Sequence, residues 1–344
     1  MGAAVAVNTF LEQPRHIKFK PGQPVEPDPL RFLHQLEGFT VVDISGRDTG
    51  RWRVITTLIH GNEPSGFLAL HRWLKTGCVP STNVRLIFCN VEGALAEPLF
   101  SQRFVNDDAD LNRYFDTADE RNPVARRAGQ IKELITKLAP EWCLDMHNTS
   151  GSSPSFAVSV HQRHSVHQLA AYFTRHLIVT DTRVGALMEL AVEFPVVTIE
   201  CGGAHQEHAH QLAFDGISRL LDENALAEVS NADLYVYRNP YRVELQREYS
   251  ADFENFQLIT ADFTLRRDVE SLNSGAVTAG EFIGWFSGAG MPFRVNDANG
   301  NDRSGQLFYR EGNRVFCNVS MQIFMATTNR EIATRDCLFY CAPL

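Results

Sequence analysis

The sequence predicts an α/β fold followed by a smaller β-rich domain. Three observations carry that expectation. Short apolar stretches alternate with segments of helical periodicity up to about residue 223. Several of those stretches are almost continuously apolar, as strands buried on both faces are. Beyond Asn231 the helical pattern stops, and short apolar runs are separated by Gly, Asn and Asp. At 344 residues the chain also exceeds the roughly 250–300 at which a single core stops growing. The expected division is a main domain over 1–230, opening with an irregular leader over 1–40, and a β-rich domain over 231–344.

The leader is read from Pro14, Pro21, Pro24, Pro27 and Pro29, which fall in a stretch without sustained periodicity. The first regular strand is 53–59 (RVITTLI), which ends at a His-Gly-Asn turn. A helix follows over 64–75, where Phe67, Leu68, Leu70, Trp73 and Leu74 keep helical spacing. Residues 84–90 (VRLIFCN) form a second strand. A helix over 124–138 has Pro123 at its start and Pro140 beyond its end, and 141–146 (EWCLDM) is a third strand. Shorter strands at 156–160 and 177–180 flank a helix over 166–175. The strand 195–200 (PVVTIE) ends on Gly202 and Gly203 before a helix that runs to about Glu223.

A net charge of −9 leaves no surface for clustered phosphates, so a nucleic-acid partner is not expected. An anionic substrate would instead need a few specific Arg residues in its pocket. No stretch reaches the length of a membrane-spanning helix, and the N-terminus lacks the pattern of a signal peptide, so no membrane partner and a cytoplasmic location are expected. The seven cysteines, an odd number without a Cys-x-x-Cys pair, read as buried free thiols.

Open α/β sheets bind ligands at the carboxyl ends of their strands. Three such ends carry chemistry: His60-Gly61-Asn62-Glu63, Asp145-Met146-His147-Asn148 and Ile199-Glu200-Cys201-Gly202-Gly203. His60 and Glu63, separated by two residues across a strand-to-helix turn, can approach one cation, and His147 from another strand completes a three-ligand set. Two His and one Glu, with water in the fourth position, make a catalytic zinc arrangement. Asp145, on the same face of its strand as His147, is placed to orient an imidazole. Two other histidine groups, His161/His164/His167 and His205/His208/His210, lack a carboxylate at a suitable strand end and are expected to face solvent. Serine-nucleophile, phosphate-loop and dinucleotide motifs are absent.

The successive motifs His60-Gly-Asn-Glu63-Pro-Ser-Gly, Asp110-Leu-Asn112-Arg113-Tyr-Phe, Asp145-Met-His147-Asn and Ile199-Glu200-Cys-Gly-Gly resemble those of the succinylglutamate desuccinylase and aspartoacylase family, in family order over 53–203. The resemblance implies a zinc-carboxypeptidase-like mixed sheet flanked by helices, with a β-rich second domain. It implies one zinc ion per chain held by His60, Glu63 and His147, and Glu200 as the catalytic carboxylate. It gives Asn112 and Arg113 the substrate's carboxylate, which suits the planar fork of an Arg, and gives Arg103 the scissile carbonyl. The family's arginine for the acyl end has no match between Leu187 and Ile199; Arg183 is the nearest upstream.

The implied activity is hydrolysis of the amide bond of a small anionic N-acyl amino acid, N-succinylglutamate first and N-acetylaspartate next. The former would belong to arginine catabolism. A metallocarboxypeptidase acting on short peptides would use the same carboxylate clamp, and a zinc-stabilised binding module without turnover would keep the same ligands. Family members commonly associate, which implies a homo-oligomer.

Overall fold

The structure is a computed structural model that describes residues 13–104, 109–119, 121–230, 233–297, 299–335 and 337–344. The chain forms two compact units. The first holds the chain up to Asn148 and Ser155–Val236; the second holds Thr149–Pro154 and Tyr237–Leu344. Asn231, where the sequence suggests a boundary, lies outside the described residues.

The strands of the first unit are β1 (Arg15–Phe19), β2 (Thr40–Ile44), β3 (Asp48–Thr57), β4 (Thr82–Phe88), β5 (Cys143–Thr149), β6 (Phe156–Ser159), β7 (His176–Val179), β8 (Val196–Gly203) and β9 (Tyr235–Arg238). They form one mixed nine-stranded sheet in the order β1-β2-β4-β3-β5-β8-β6-β7-β9. The helices are α1 (Pro29–Leu36), α2 (Ser65–Thr76), α3 (Val91–Ala94), α4 (Pro123–Thr136), α5 (His164–Ala171) and α6 (Glu207–Asp222).

Both faces of the sheet are covered, as the near-continuous apolar strands require. On one face Ile55, Leu86, Leu144 and Ile199 pack with Phe67, Leu70 and Trp73 of α2, Leu169 of α5 and Ile217 and Leu220 of α6. On the other, Val54, Ile87, Cys143 and Val196 pack with Val124, Ala128, Ile131 and Ile135 of α4. Alternation along β3 sends Val54 to one face and Ile55 to the other. Helix α4 starts where the sequence places it: Pro123 occupies its first turn, and Asn122 accepts hydrogen bonds from the backbone N–H groups of Val124 and Ala125.

Strand direction decides where chemistry can assemble. β3 runs parallel to both β4 and β5. The Cys143 N–H donates to the Pro195 carbonyl at 3.0 Å, so β5 and β8 start from the same end. β3, β5 and β8 therefore finish together. β6 is antiparallel to β8, with Phe156 opposite Glu200, and β7 runs parallel to β6.

Three expectations need correction. The leader is not irregular throughout: β1 pairs parallel with β2, and α1 is capped by Asp28, which accepts from the Arg31 N–H. Residues 1–12 lie outside the described part. The segment at Tyr235, expected to open the second domain, forms the edge strand β9 beside β7. Six cysteines are buried free thiols, but Cys78 is exposed.

The second unit is β-rich, as expected. β10 (Tyr241–Leu245), β13 (Ala276–Val277), β15 (Phe293–Arg294), β18 (Met321–Phe324) and β19 (Phe339–Pro343) make one five-stranded sheet. β11 (Ala251–Glu254), β12 (Phe263–Arg266), β14 (Phe282–Phe286), β16 (Phe308–Glu311) and β17 (Arg314–Cys317) make another. Its core holds Phe263, Phe286, Phe293, Phe308 and Phe339 in edge-to-face contacts. Among the described residues no helix is long and apolar enough to cross a membrane.

Candidate active site

The three strand ends named from the sequence converge. β3 gives way to a turn through Leu58, whose φ of 54° is left-handed and turns the chain before His60. Gly61 in this turn has no room for a side chain: a Cβ would lie 2.5 Å from the Gly93 carbonyl carbon and 2.6 Å from the Gln102 oxygen. The turn is thus pressed against α3 and the 100–103 segment. Gly66, in the first turn of α2, sits as tightly on Thr57 and Met146, where a Cβ would come within 2.4 Å of Thr57 Oγ1. These two close approaches fix Glu63 between β3 and β5.

His60, Glu63 and His147 are all buried, and their ligand atoms lie within 4.8 Å of one another. No other such group of His, Cys, Asp or Glu is found among the described residues. His60 Nδ1 is 2.8 Å from Glu63 Oε1, and His147 Nδ1 is 2.7 Å from Glu63 Oε2. The far nitrogens are also taken: His60 Nε2 is 2.9 Å from Asp110 Oδ1, and His147 Nε2 is 2.8 Å from Asp145 Oδ2.

A neutral imidazole has one N–H and one lone pair. With its Nε2–H donating to Asp110, His60 keeps its lone pair at Nδ1, facing Glu63 Oε1; His147 instead hydrogen-bonds to Glu63 Oε2 through Nδ1 as well as to Asp145 through Nε2. The His60 Nδ1 contact, close as it is, lacks the geometry of a hydrogen bond. His60 Nδ1 is thus a buried nitrogen left without a hydrogen-bond partner, facing a carboxylate oxygen. The donor set therefore fits a divalent cation, with Asp110 and Asp145 fixing the tautomers from behind. The same field appears in the protonation equilibria. Burial opposes charge on His147, yet Asp145 and Glu63 outweigh it and raise its pKa well above the ordinary imidazole value. Burial likewise opposes ionisation of Glu63, but His60, His147 and Arg103 hold its pKa well below the carboxylate range.

Glu200 lies in β8, three residues before its end. Its carboxyl feels the charges of His147, Glu63, His60 and Arg103, and its Oε2 is a buried atom without a hydrogen-bond partner. Burial pushes its carboxyl up to about 7. A carboxyl oxygen without a partner beside His60, Glu63 and His147, on a group whose pKa lies near neutrality, can accept and return a proton.

Arg103 lies on the Glu63 carboxylate, donating from Nη1 to Oε1 at 2.6 Å. Its Nη2 and Nη1 of Arg113 each lie 3.8 Å from Asp110 Oδ2. Two guanidinium groups thus flank the aspartate behind His60. The Asn112 side chain is divided: its Oδ1 accepts from the Leu187 N–H at 2.9 Å, leaving Nδ2 to donate to a ligand.

Arg183 does not join this group. β6 and β7 run opposite to β8, so β7 delivers its C-terminal end level with Val196, away from Glu200. Arg183 is exposed there and donates to the Thr180 carbonyl. Of the two histidine groups expected to face solvent, His164, His205 and His208 are exposed. His161 instead buries an unpartnered Nε2, and His210 Nδ1 lies 2.7 Å from Ser65 Oγ. Sequence reasoning missed Asp110 as the partner of His60. Its signal was visible, since it opens the Asp-Leu-Asn-Arg motif, but it reads there as the cap of a turn. It is that too: its Oδ1 also accepts from the Asn112 N–H.

Residues 50–224 match the Succinylglutamate desuccinylase/Aspartoacylase catalytic domain, just over half of the chain. The chain belongs to the succinylglutamate desuccinylase/aspartoacylase family. Membership supports an enzyme of the deacylating hydrolase class, acting on a small molecule. Solved structures share the fold. A succinylglutamate desuccinylase/aspartoacylase from Rhodobacter sphaeroides is 13% identical with a TM-score of 0.55, over 88% of this chain and 89% of that one. The succinylglutamate desuccinylase of Vibrio parahaemolyticus is 18% identical, TM-score 0.54, over 82% and 86%. The ectoine utilization protein EutE (DoeB) of Ruegeria pomeroyi is 14% identical, TM-score 0.51, over 82% of each chain. No curated protein matches the chain in sequence.

Proposed function

We propose that this family member is a zinc-dependent hydrolase that cleaves the amide bond of a small N-acyl amino acid, N-succinylglutamate before N-acetylaspartate. The observation that carries the reading is the buried set of His60, Glu63 and His147, with His60 Nδ1 unpartnered, beside Glu200, whose Oε2 has no hydrogen-bond partner. Zinc, when bound by those three residues, supplies Lewis acidity and lowers the pKa of water. Glu200 removes a proton from the attacking water and gives it to the nitrogen of the departing amine as the C–N bond breaks. Arg113 and the Nδ2 group of Asn112 bind the amino acid's carboxylate, the guanidinium offering two parallel donors. Arg103 polarises the scissile carbonyl, sharing its guanidinium with Glu63.

The test is metal content of the purified protein together with hydrolysis of N-succinylglutamate, N-acetylaspartate and a dipeptide, before and after chelation. About one zinc per chain and chelator-sensitive release of one acyl group are expected. Full activity after complete metal removal would overturn the reading. Cleavage of the dipeptide alone would make the protein a carboxypeptidase, and tight binding without turnover would make it a binding module.

Arg103→Ala is expected to lower kcat roughly 10²- to 10³-fold with zinc retained, the usual loss for one donor to a developing oxyanion. Turnover near the parent value would remove Arg103 from the chemistry and leave it as a partner of Glu63.

A further inference from the structure

One side chain near the site bonds to nearly everything that must stay in register, and the mechanism above does not use it. Asn148 follows His147 at the end of β5 and is buried. Its Oδ1 accepts from the Ser65 N–H at 2.9 Å. Its Nδ2 donates to Ser65 Oγ at 2.7 Å and to the Gly202 carbonyl at 2.9 Å. Its backbone N–H donates to Glu63 Oε2 at 3.2 Å. Both amide protons and the amide oxygen are therefore engaged, and the pattern fixes which way the amide points.

Each bond answers a specific need. Ser65 opens α2, and the residue before it, Pro64, has no side chain able to cap a helix. Asn148 caps α2 from a neighbouring strand instead, satisfying one of the orphan N–H groups of the first turn. Gly202 lies two residues beyond Glu200 on β8. Glu63 lies two residues before Ser65. One amide thus ties the strand end carrying Glu200 to the turn carrying Glu63, while its backbone N–H bonds the carboxylate of Glu63 directly. Ser65 Oγ passes the connection on to His210 of α6.

We propose that Asn148 is a positioning residue, whose side-chain amide holds the metal-ligand turn at Glu63 and the strand end of Glu200 in one register. The proposal rests on the hydrolase reading for its kinetic consequence. Aspartate is the informative replacement. It has the same shape and keeps the acceptor for the Ser65 N–H, but it sets an oxygen against the Gly202 carbonyl where a donor is needed. Its charge also lies close to the cation site and favours metal binding.

The experiment compares the parent with Asn148→Ala and Asn148→Asp. It measures the zinc dissociation constant of the apo-protein by chelator competition, then kcat and KM at saturating zinc. For Asn148→Ala, zinc affinity is expected to fall about 10- to 100-fold, the range for groups that orient metal ligands. Its kcat should fall about tenfold or more, with KM within about twofold because the carboxylate clamp is untouched. For Asn148→Asp, zinc affinity should hold or rise while kcat falls by a similar factor. A merely structural asparagine would not divide the two readouts in that way. A folded Asn148→Ala protein with both zinc affinity and kcat within about twofold of the parent overturns the proposal. If the alanine variant fails to fold, Asn148→Asp decides alone, and undiminished kcat overturns it. A parent that binds zinc but hydrolyses no N-acyl amino acid defeats the functional reading instead, and the zinc affinity of Asn148→Ala still judges Asn148.

Discussion

Glu200→Gln is expected to lower kcat roughly 10²- to 10⁴-fold, the contribution of a positioned general base, while zinc stays bound. Glutamine keeps the shape of the side chain and cannot take a proton. The proposed zinc ligands do not include Glu200, so a large loss with unchanged metal content assigns the effect to proton transfer. A kcat within tenfold of the parent would move the base elsewhere. The pH profile gives a second readout. Burial raises the carboxyl to about 7, with Glu63 adding to that shift and His147, His60 and Arg103 opposing it. The base acts in its ionised form, so kcat/KM should rise with pH through this group. Bound zinc adds positive charge beside it, which puts the limb at or below pH 7. The Gln variant should lose that limb.

The same burial has a consequence for stability. A carboxyl whose pKa is raised on folding contributes stability below its unfolded value and loses it as pH rises through the folded one. Around neutral pH Glu200 is therefore held ionised at a cost. Glu200→Gln should leave the thermal midpoint unchanged or raise it at pH 8, the trade expected where activity needs a destabilised group.

Much of this site could be read from the sequence because its residues sit where strands end, and an apolar run that stops abruptly marks that place. His60, Glu63, His147 and Glu200 were all found that way, since the end of a parallel strand is a local feature. What escaped depended on direction and reach. Arg183 was the nearest candidate for an acyl clamp until the reversal of β6 and β7 put the end of β7 level with the start of β8 rather than with Glu200. Nothing in a short apolar run tells which way it points. Asp110 reaches His60 from fifty residues away, and a residue that caps its own turn gives no sign of a second partner. His210 was hidden for a related reason: a histidine among two exposed ones looks exposed. The leader misled differently, because five prolines obscure a five-residue strand and an eight-residue helix whose first residue is itself a proline.

Arg127→Met is expected to destabilise the first unit by about 3–5 kcal/mol, the cost of removing one partner from a buried ion pair. Arg127 of α4 donates to both oxygens of Glu92, at 3.0 and 2.8 Å, and to the Cys89 carbonyl at 3.2 Å. Its side chain is 0% exposed and that of Glu92 6%. Methionine fills much of the volume and offers no donor, so the Glu92 carboxylate would remain in the core without this partner. The double variant Arg127→Met with Glu92→Leu removes both charges and should recover most of the loss, since apolar replacement of a whole buried pair is often neutral. Equilibrium denaturation of the parent, the single and the double variant reads the difference. A single variant within about 0.5 kcal/mol of the parent would place this pair among those that contribute little. The consequence reaches the site, because Glu92 belongs to α3, and it is the backbone of Gly93 and Ala94 in α3 that presses on Gly61. Loosening α3 frees the turn that carries His60 and Glu63. The single variant should therefore release zinc to a chelator faster than the parent, and the double variant, with α3 packed again, should hold it.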